Sequence, residues 1–279
     1  MSLFLDHIVI AVHDLEAAID DYAALGFHVL RGGEHPGRPT HNALVVFADG
    51  SYFELIAWRE PAPADRWWQL LQRRGEGIVD FALLPADTAA TVAAAAGRGL
   101  RLEGPLDGGR LRPDGERLRW QTARPATPDL PFLCGDITPR ALRVPEGDAR
   151  RHPNGATGVA SLALTVHDLD ATLARYRALL GPAAAGVGRA VTLGGGRGRL
   201  ALIALAETSL LLWAPDAQRS SDAGEAEEGA HGDPLQQRLA VRGEGPHAVV
   251  LRTRGDASAR TPALTLTHGA SIEFEQEAA

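Results

Sequence analysis

The chain has 279 residues, 45% hydrophobic and 23% charged, and a formal net charge of −7. That is a globular composition with core enough for two domains or one large one, and its acidic balance excludes the basic surface a nucleic-acid binder needs. There is no basic leader before Asp6, no apolar run near the roughly 18 residues of a membrane span, and one cysteine, Cys134; a cytoplasmic protein without disulfides is expected. The period-two rule puts Leu5, His7, Val9 and Ala11 on one face of a first strand and Ile8, Ile10 and Val12 on the other. Asp14 caps a helix through Leu15, Ile19, Tyr22 and Leu25, and Gly26 ends it. Phe27–Leu30 reads as a second strand and 32–39 as a loop by composition. Strands at 42–47 and 52–58, joined by a tight turn at 48–51, complete a βαβββ unit. Asp65 caps a short linking helix.

A second unit starts at Gly75-Glu76-Gly77 and runs through a strand to Leu84, then the helix Thr88–Gly97 capped by Asp87. Its further strands are read at 101–104, 118–122 and 131–134, with 108–115 as a turn-rich hairpin. Residues 136–155 form a polar linker ending in His152-Pro153-Asn154-Gly155. Val166-His167-Asp168-Leu169 then repeats Val12-His13-Asp14-Leu15, and Gly243-Glu244-Gly245 repeats Gly75-Glu76-Gly77. Such matches at equivalent places indicate repeated units. Ser161 takes the place of His7 in the third unit, and Leu211 or Leu212 that of Glu54. The stretch 218–233 is almost without apolar residues and reads as a flexible loop. Two halves are expected: 1–145, with modules at about 1–60 and 75–140, and 146–279, with a module at about 156–215 and a degenerate one at about 236–279. The second half reads as scaffold or as a second, metal-free wall.

The segments around Leu5–Val9, Gly32–Gly37, Thr40–Leu44, Tyr52–Ile56, Pro131–Leu133 and His152–Ala156 resemble the glyoxalase-like domain family of the vicinal oxygen chelate superfamily, most strongly over 3–180. The resemblance implies an α+β fold of tandem βαβββ modules paired into half-open mixed barrels. It also implies a divalent metal (Zn, Fe, Mn or Ni) held by the first-strand His and fourth-strand Glu of facing units. His7 and Glu54 match those places, and Asp80 matches the first-strand place of the second unit, where His is commoner. The activity implied is that of a metal-dependent lyase, isomerase or dioxygenase acting on vicinal oxygens of a small molecule. The alternative is a metal-free binder of the bleomycin-resistance kind.

His7 and Glu54 are polar residues inside apolar strands. A buried carboxylate needs a cation or hydrogen bonds, so the pair reads as metal site, ligand contact or buried His–Glu bond. His35, His41, Asn42 and Trp120 are candidate substrate contacts at the barrel mouth; the plainer readings are a solvated loop for His35 and a hairpin cap for His41 and Asn42. His13 and His167 read as helix-start residues, Cys134 as a small core residue and Trp67-Trp68 as a helix anchor. The implied partner is a small molecule, with no nucleic acid or membrane, in a monomer or a homodimer.

Overall fold

The structure, a computed structural model, describes residues 3–112, 114–181, 186–193, 198–215, 234–254 and 261–277. The first unit comprises β1 (Phe4–Ala11), α1 (Leu15–Ala24), β2 (Leu30–Glu34), β3 (Thr40–Val46) and β4 (Tyr52–Trp58). Helix α2 (Arg66–Arg74) leads into β5 (Gly77–Leu84), α3 (Thr88–Gly97), β6 (Leu102–Leu111), β7 (Arg117–Pro125) and β8 (Phe132–Asp136). A short helix, α4 (Arg140–Arg143), and a 3-10 turn at Gly147–Arg150 occupy the linker. The remainder is β9 (Ala156–Thr165), α5 (Leu169–Leu180), β10 (Val191–Thr192), β11 (Arg199–Leu205), β12 (Thr208–Ala214), α6 (Pro234–Arg242), β13 (Gly245–Thr253) and β14 (Ser271–Gln276). The loop expected at 218–233 and the glycine turn at 194–197 lie outside the described residues. No described helix is long and apolar enough to cross a membrane.

The first two units close into a barrel in the order β1-β4-β3-β2-β6-β7-β8-β5. The rest forms an open sheet, β10-β11-β12-β9-β13-β14. The two are variations on one plan: β1 runs parallel to β4 and antiparallel to β5, as β9 does to β12 and β13. Counterparts of β6 and β7 are missing among the described residues of the open sheet, so that sheet does not close. One apolar cluster serves both sheets, with Ile8, Ile10, Phe81 and Leu83 from the barrel and Leu162, Leu164, Val249 and Leu251 from the open sheet. Phe274 on β14 stacks on Phe27 of the first unit, ring centres 6.3 Å apart.

The repeated sequences turn out to be one device. Glu76 accepts a hydrogen bond from the backbone N–H of His13, and Glu244 accepts one from that of His167, both at 2.7 Å. Asp14 and Asp168 then cap the helices that follow. The glycines flanking each glutamate hold the same left-handed backbone, φ +73° and +138° at Gly75 and Gly77, +76° and +132° at Gly243 and Gly245. Side-chained residues rarely adopt these angles, which explains the Gly-Glu-Gly pattern. The His152-Pro153-Asn154-Gly155 turn is a second strut. His152 Nδ1 accepts the His28 N–H, its Nε2 meets the Val46 carbonyl, and the Asn154 amide donates to the Leu25 carbonyl at the end of α1.

Three expectations are corrected. The second strand is 30–34 rather than 27–30, because Gly32 and Gly33 lie in a bulged pairing with β3 instead of a loop. Strand β6 runs to Leu111, through the glycines read as a hairpin, because β7 pairs with it along that length. Leu5 does not share a face with His7: a bulge between them turns Leu5 into the apolar cluster with Ile8 and Ile10.

Glu244→Ala removes one charged hydrogen bond and should destabilise the protein by about 1 kcal/mol. Glu76→Ala should lose more, about 2 kcal/mol, because Glu76 also holds His268 at 2.9 Å. Urea unfolding of both variants checks the order.

Candidate functional site

The barrel encloses a cavity of about 320 Å³. The strand alternation that buries Val9 and Ala11 on its wall also brings His7 there, and β4 contributes Glu54. His7 is held by two aromatic rings and, at Nδ1, by a carboxylate. Tyr52 stacks on it with centres 4.7 Å apart, and Phe132 meets it edge-on at 5.3 Å. Nδ1 bonds the Asp6 carboxylate at 2.7 Å, and Nε2 faces Glu54 Oε2 at 3.5 Å. In the neutral ring, donation from Nδ1 to Asp6 leaves the Nε2 lone pair aimed at Glu54.

Asp6 is fully buried and reaches this side through the bulge beside His7. Burial alone would raise its carboxyl, but Arg143, the bond to His7 and Arg140 hold it well below the usual range. Arg143 bridges Asp6, Asp136 and the Tyr52 hydroxyl. Both arginines come from α4, inside the stretch read as a polar linker.

Glu54 Oε1 accepts from the Asn42 amide at 2.6 Å, and the Asn42 carbonyl oxygen accepts from Arg110 at 3.2 Å. Gly32 makes room for that meeting: a Cβ there would lie 2.0 Å from Asn42 Oδ1 and 2.3 Å from Arg110 Nη1. Burial raises the Glu54 carboxyl, yet His7, His35, Asn42 and Arg110 bring it below its ordinary value. His35 Nε2 stands 3.8 Å from Glu54 Oε1, its Nδ1 bonds Thr40 at 2.8 Å, and Trp120 meets its ring edge-on. Burial lowers the His35 pKa, partly opposed by Glu54, so its ring is neutral near pH 7.

Of the residues the sequence nominates, His7, His35, Asn42, Glu54 and Trp120 meet at this cavity. His41 and Asp80 do not line it. His41 alternates with Thr40 and Asn42 on β3 and so faces the other way. Asp80 is almost fully buried but is taken by Arg66, the Trp67 indole N–H and its neighbour's Phe81 N–H. The fourth-strand place of the second unit falls on Phe132: Val9 pairs with Glu54, and the equivalent Ala82 pairs with Phe132. In the third unit Ala163 pairs with Leu211, which fixes Leu211 at the Glu54 place. Sequence reasoning missed Asp6, Arg110, Arg124 and Arg143. The glycine at 32, inside a strand, was the one local sign of a close approach.

A donor set of imidazole and carboxylate suits Zn²⁺, Fe²⁺, Mn²⁺ or Ni²⁺. Ligand bonds of about 2.0–2.2 Å put two donors of one tetrahedral ion roughly 3.4 Å apart. The His7–Glu54 separation of 3.5 Å fits that spacing and the His35–Glu54 separation of 3.8 Å lies close to it, but the two imidazoles approach different oxygens of Glu54 and the three donors do not all lie within 4.8 Å of one another. Among the described residues, Asp6, His7 and Cys134 also offer atoms within 4.8 Å of one another. There Asp6 is bound by two guanidiniums and burial keeps Cys134 a thiol, so this trio supports the His7 ring rather than an ion.

The model of the glyoxalase-like domain family matches residues 5–180. The chain belongs to this family, within the vicinal oxygen chelate superfamily. No curated protein matches it in sequence. Among solved structures, this glyoxalase-like chain is similar to a hypothetical protein from Staphylococcus aureus, with 14% identity, TM-score 0.68, and 98% of this chain and 99% of that one covered. It is similar to a triple mutant of 4-hydroxymandelate synthase from Streptomyces coelicolor at 14% identity and TM-score 0.58, covering 91% and 72%. It also resembles a xylose isomerase-like TIM barrel/4-hydroxyphenylpyruvate dioxygenase fusion protein at 14% identity and TM-score 0.53, covering 92% of this chain and 37% of that one. At these identities the likeness is one of fold.

Asp6→Asn would leave Arg143 and Arg140 facing a neutral amide and should destabilise the protein by roughly 3–5 kcal/mol at pH 7. The folded Asp6 pKa lies below the unfolded value of about 3.9, so its contribution is full above that pH and is lost as pH falls through the lower folded value. The stability gap between wild type and Asp6→Asn should therefore shrink at pH 3 and below, as read by urea unfolding across the pH range.

Proposed function

We propose that this chain is a metal-dependent enzyme acting on a small oxygenated molecule bound in the barrel cavity. The observation that carries the reading is the convergence of two imidazole nitrogens on the buried Glu54 carboxylate, at 3.5 and 3.8 Å, both beyond hydrogen-bond length. His7 and Glu54 would hold the ion, and His35 would complete the set in place of Asp80 only after moving toward His7. The ion, when bound, supplies Lewis acidity toward neighbouring substrate oxygens. Asp6 orients His7, Thr40 orients His35, and Asn42 fixes the Glu54 carboxylate. Such outer partners set ring tautomer and ligand basicity. Trp120 and Tyr52 supply apolar cover against water. Two structural neighbours are named as a synthase and a dioxygenase, which supports an enzyme. Residues 1–145 would carry the chemistry and 146–279 would act as scaffold, since Ser161 and Leu211 stand at the His7 and Glu54 places.

A second reading, a metal-free binder, is favoured by Phe132 at the place of the partner acid and by the Asn42–Arg110 chain, which already serves Glu54.

Calorimetric titration with Zn²⁺, Mn²⁺, Fe²⁺ and Ni²⁺ decides between them. Wild type should bind one ion, His7→Ala and Glu54→Gln should abolish binding, and His35→Ala should weaken it. A milder change beyond the ligands, Thr40→Val, should cost roughly 10–100-fold in affinity. Equal, weak binding by wild type and all variants would move the weight to the metal-free binder.

A further inference from the structure

Arg124 is a cation of the cavity wall that neither the fold nor the metal reading explains. Its guanidinium lies over the rings of Trp67, 4.7 Å from the centre, and Phe132, 4.9 Å from the centre. It donates no hydrogen bond among the described residues. The acid it faces, Asp80, is 4.0 Å away and already engaged by Arg66 and the Trp67 indole. Both carboxylates that act on it are already engaged: Asp65 caps α2 through the Trp67 and Trp68 backbone N–H groups, and Asp80 holds Arg66 and the Trp67 indole. The other inner arginines are differently placed: Arg143 is saturated by Asp6, Asp136 and Tyr52, and Arg110 is tied through Asn42 to Glu54.

Strand β7, which carries Arg124, is diametrically opposite β4, which carries Glu54, in the eight-strand order. On the β1–β5–β8 side the apolar residues Val9, Ala82 and Phe132 lie between them, and Phe132 touches both the His7 ring and the Arg124 guanidinium. A guanidinium with open donors, flanked by aromatic rings, is a planar fork for a carboxylate, and a water-poor setting strengthens the pair. Burial lowers the pKa of Arg124, so an anionic ligand would relieve a cation that the protein itself leaves poorly compensated.

We propose that Arg124 receives the carboxylate of a small monoanionic ligand whose apolar body extends toward His7 and Glu54. This rests on the reading of the barrel cavity as the substrate site, though not on the metal. Asp80, nominated from sequence as a metal ligand, acts instead as a positioning residue that holds Arg66 and Trp67 around this fork.

The test uses full-length protein in the presence of a chelator, with phenylacetate and its neutral isostere phenylacetamide as probes, followed by calorimetry. Wild type should bind phenylacetate at least roughly tenfold more tightly than the amide, as charge-assisted hydrogen bonds require. Arg124→Gln should erase the preference, Arg124→Lys should keep part of it, and Arg117→Gln on the exposed rim should leave it whole. If Arg124→Gln does not fold, as judged by circular dichroism, the lysine variant decides: a reduced preference supports the proposal and a full one overturns it. Equal binding of the two probes by wild type, no binding of either, or an undiminished preference in Arg124→Gln would each overturn it. Because the chelator removes any metal ion, the carboxylate preference is read without it, so loss of the metal reading and loss of this one are separate results.

Discussion

Burying a carboxylate costs several kcal/mol unless cations or donors meet it, and this barrel wall buries three: Asp6, Glu54 and Asp80. The way each is compensated determines much of the surrounding architecture. Asp6 draws α4 against the barrel through Arg140 and Arg143. Asp80 fixes the start of α2 through Arg66 and Trp67. Glu54 is met by the Asn42 amide and, beyond hydrogen-bond length, by two imidazoles, with Arg110 one residue further out. Of the three it is the one that no guanidinium bonds directly.

The duplicated units have diverged in chemistry while keeping their joints. Glu76 and Glu244 serve the same backbone N–H at equivalent places, with the same glycine conformations beside them. These contacts set how a strand hands over to a helix, and both halves need them. The cavity residues are free of that demand. Phe132, Ser161 and Leu211 stand where the first unit has polar groups or their counterparts, and the open sheet lacks counterparts of β6 and β7 among the described residues. A barrel interior exists only where the sheet closes, through the single pairing of Glu34 with Leu111.

Hydrogen bonding across the cavity also separates positioning from binding. Several polar side chains at and behind its wall point at one another: Asp6 at His7, Thr40 at His35, Asn42 at Glu54. Such a network holds rotamers before a ligand arrives, which is the condition for a site that binds without reorganising. Arg124 stands apart because aromatic faces, rather than acceptors, hold it in place.

The sequence alone determined the four-unit plan, because period-two and helical spacing, N-cap aspartates and repeated tetrapeptides are local signals. It also picked out His7 and Glu54, since a polar residue inside an apolar strand is visible without a partner. Only the tertiary structure decided which acids meet which cations. The bulge at Asp6 breaks the alternation that sequence reasoning assumes, and it turns Asp6 inward and Leu5 outward. The glycines of β2 and β6 look like loop composition, yet they stay in strands because neighbouring strands pair with them. Arg143 lies 137 positions from Asp6 along the chain, and no local pattern links them. Ion pairing inside a barrel depends on which strands close on each other, and that is settled by the fold as a whole rather than by any segment of it.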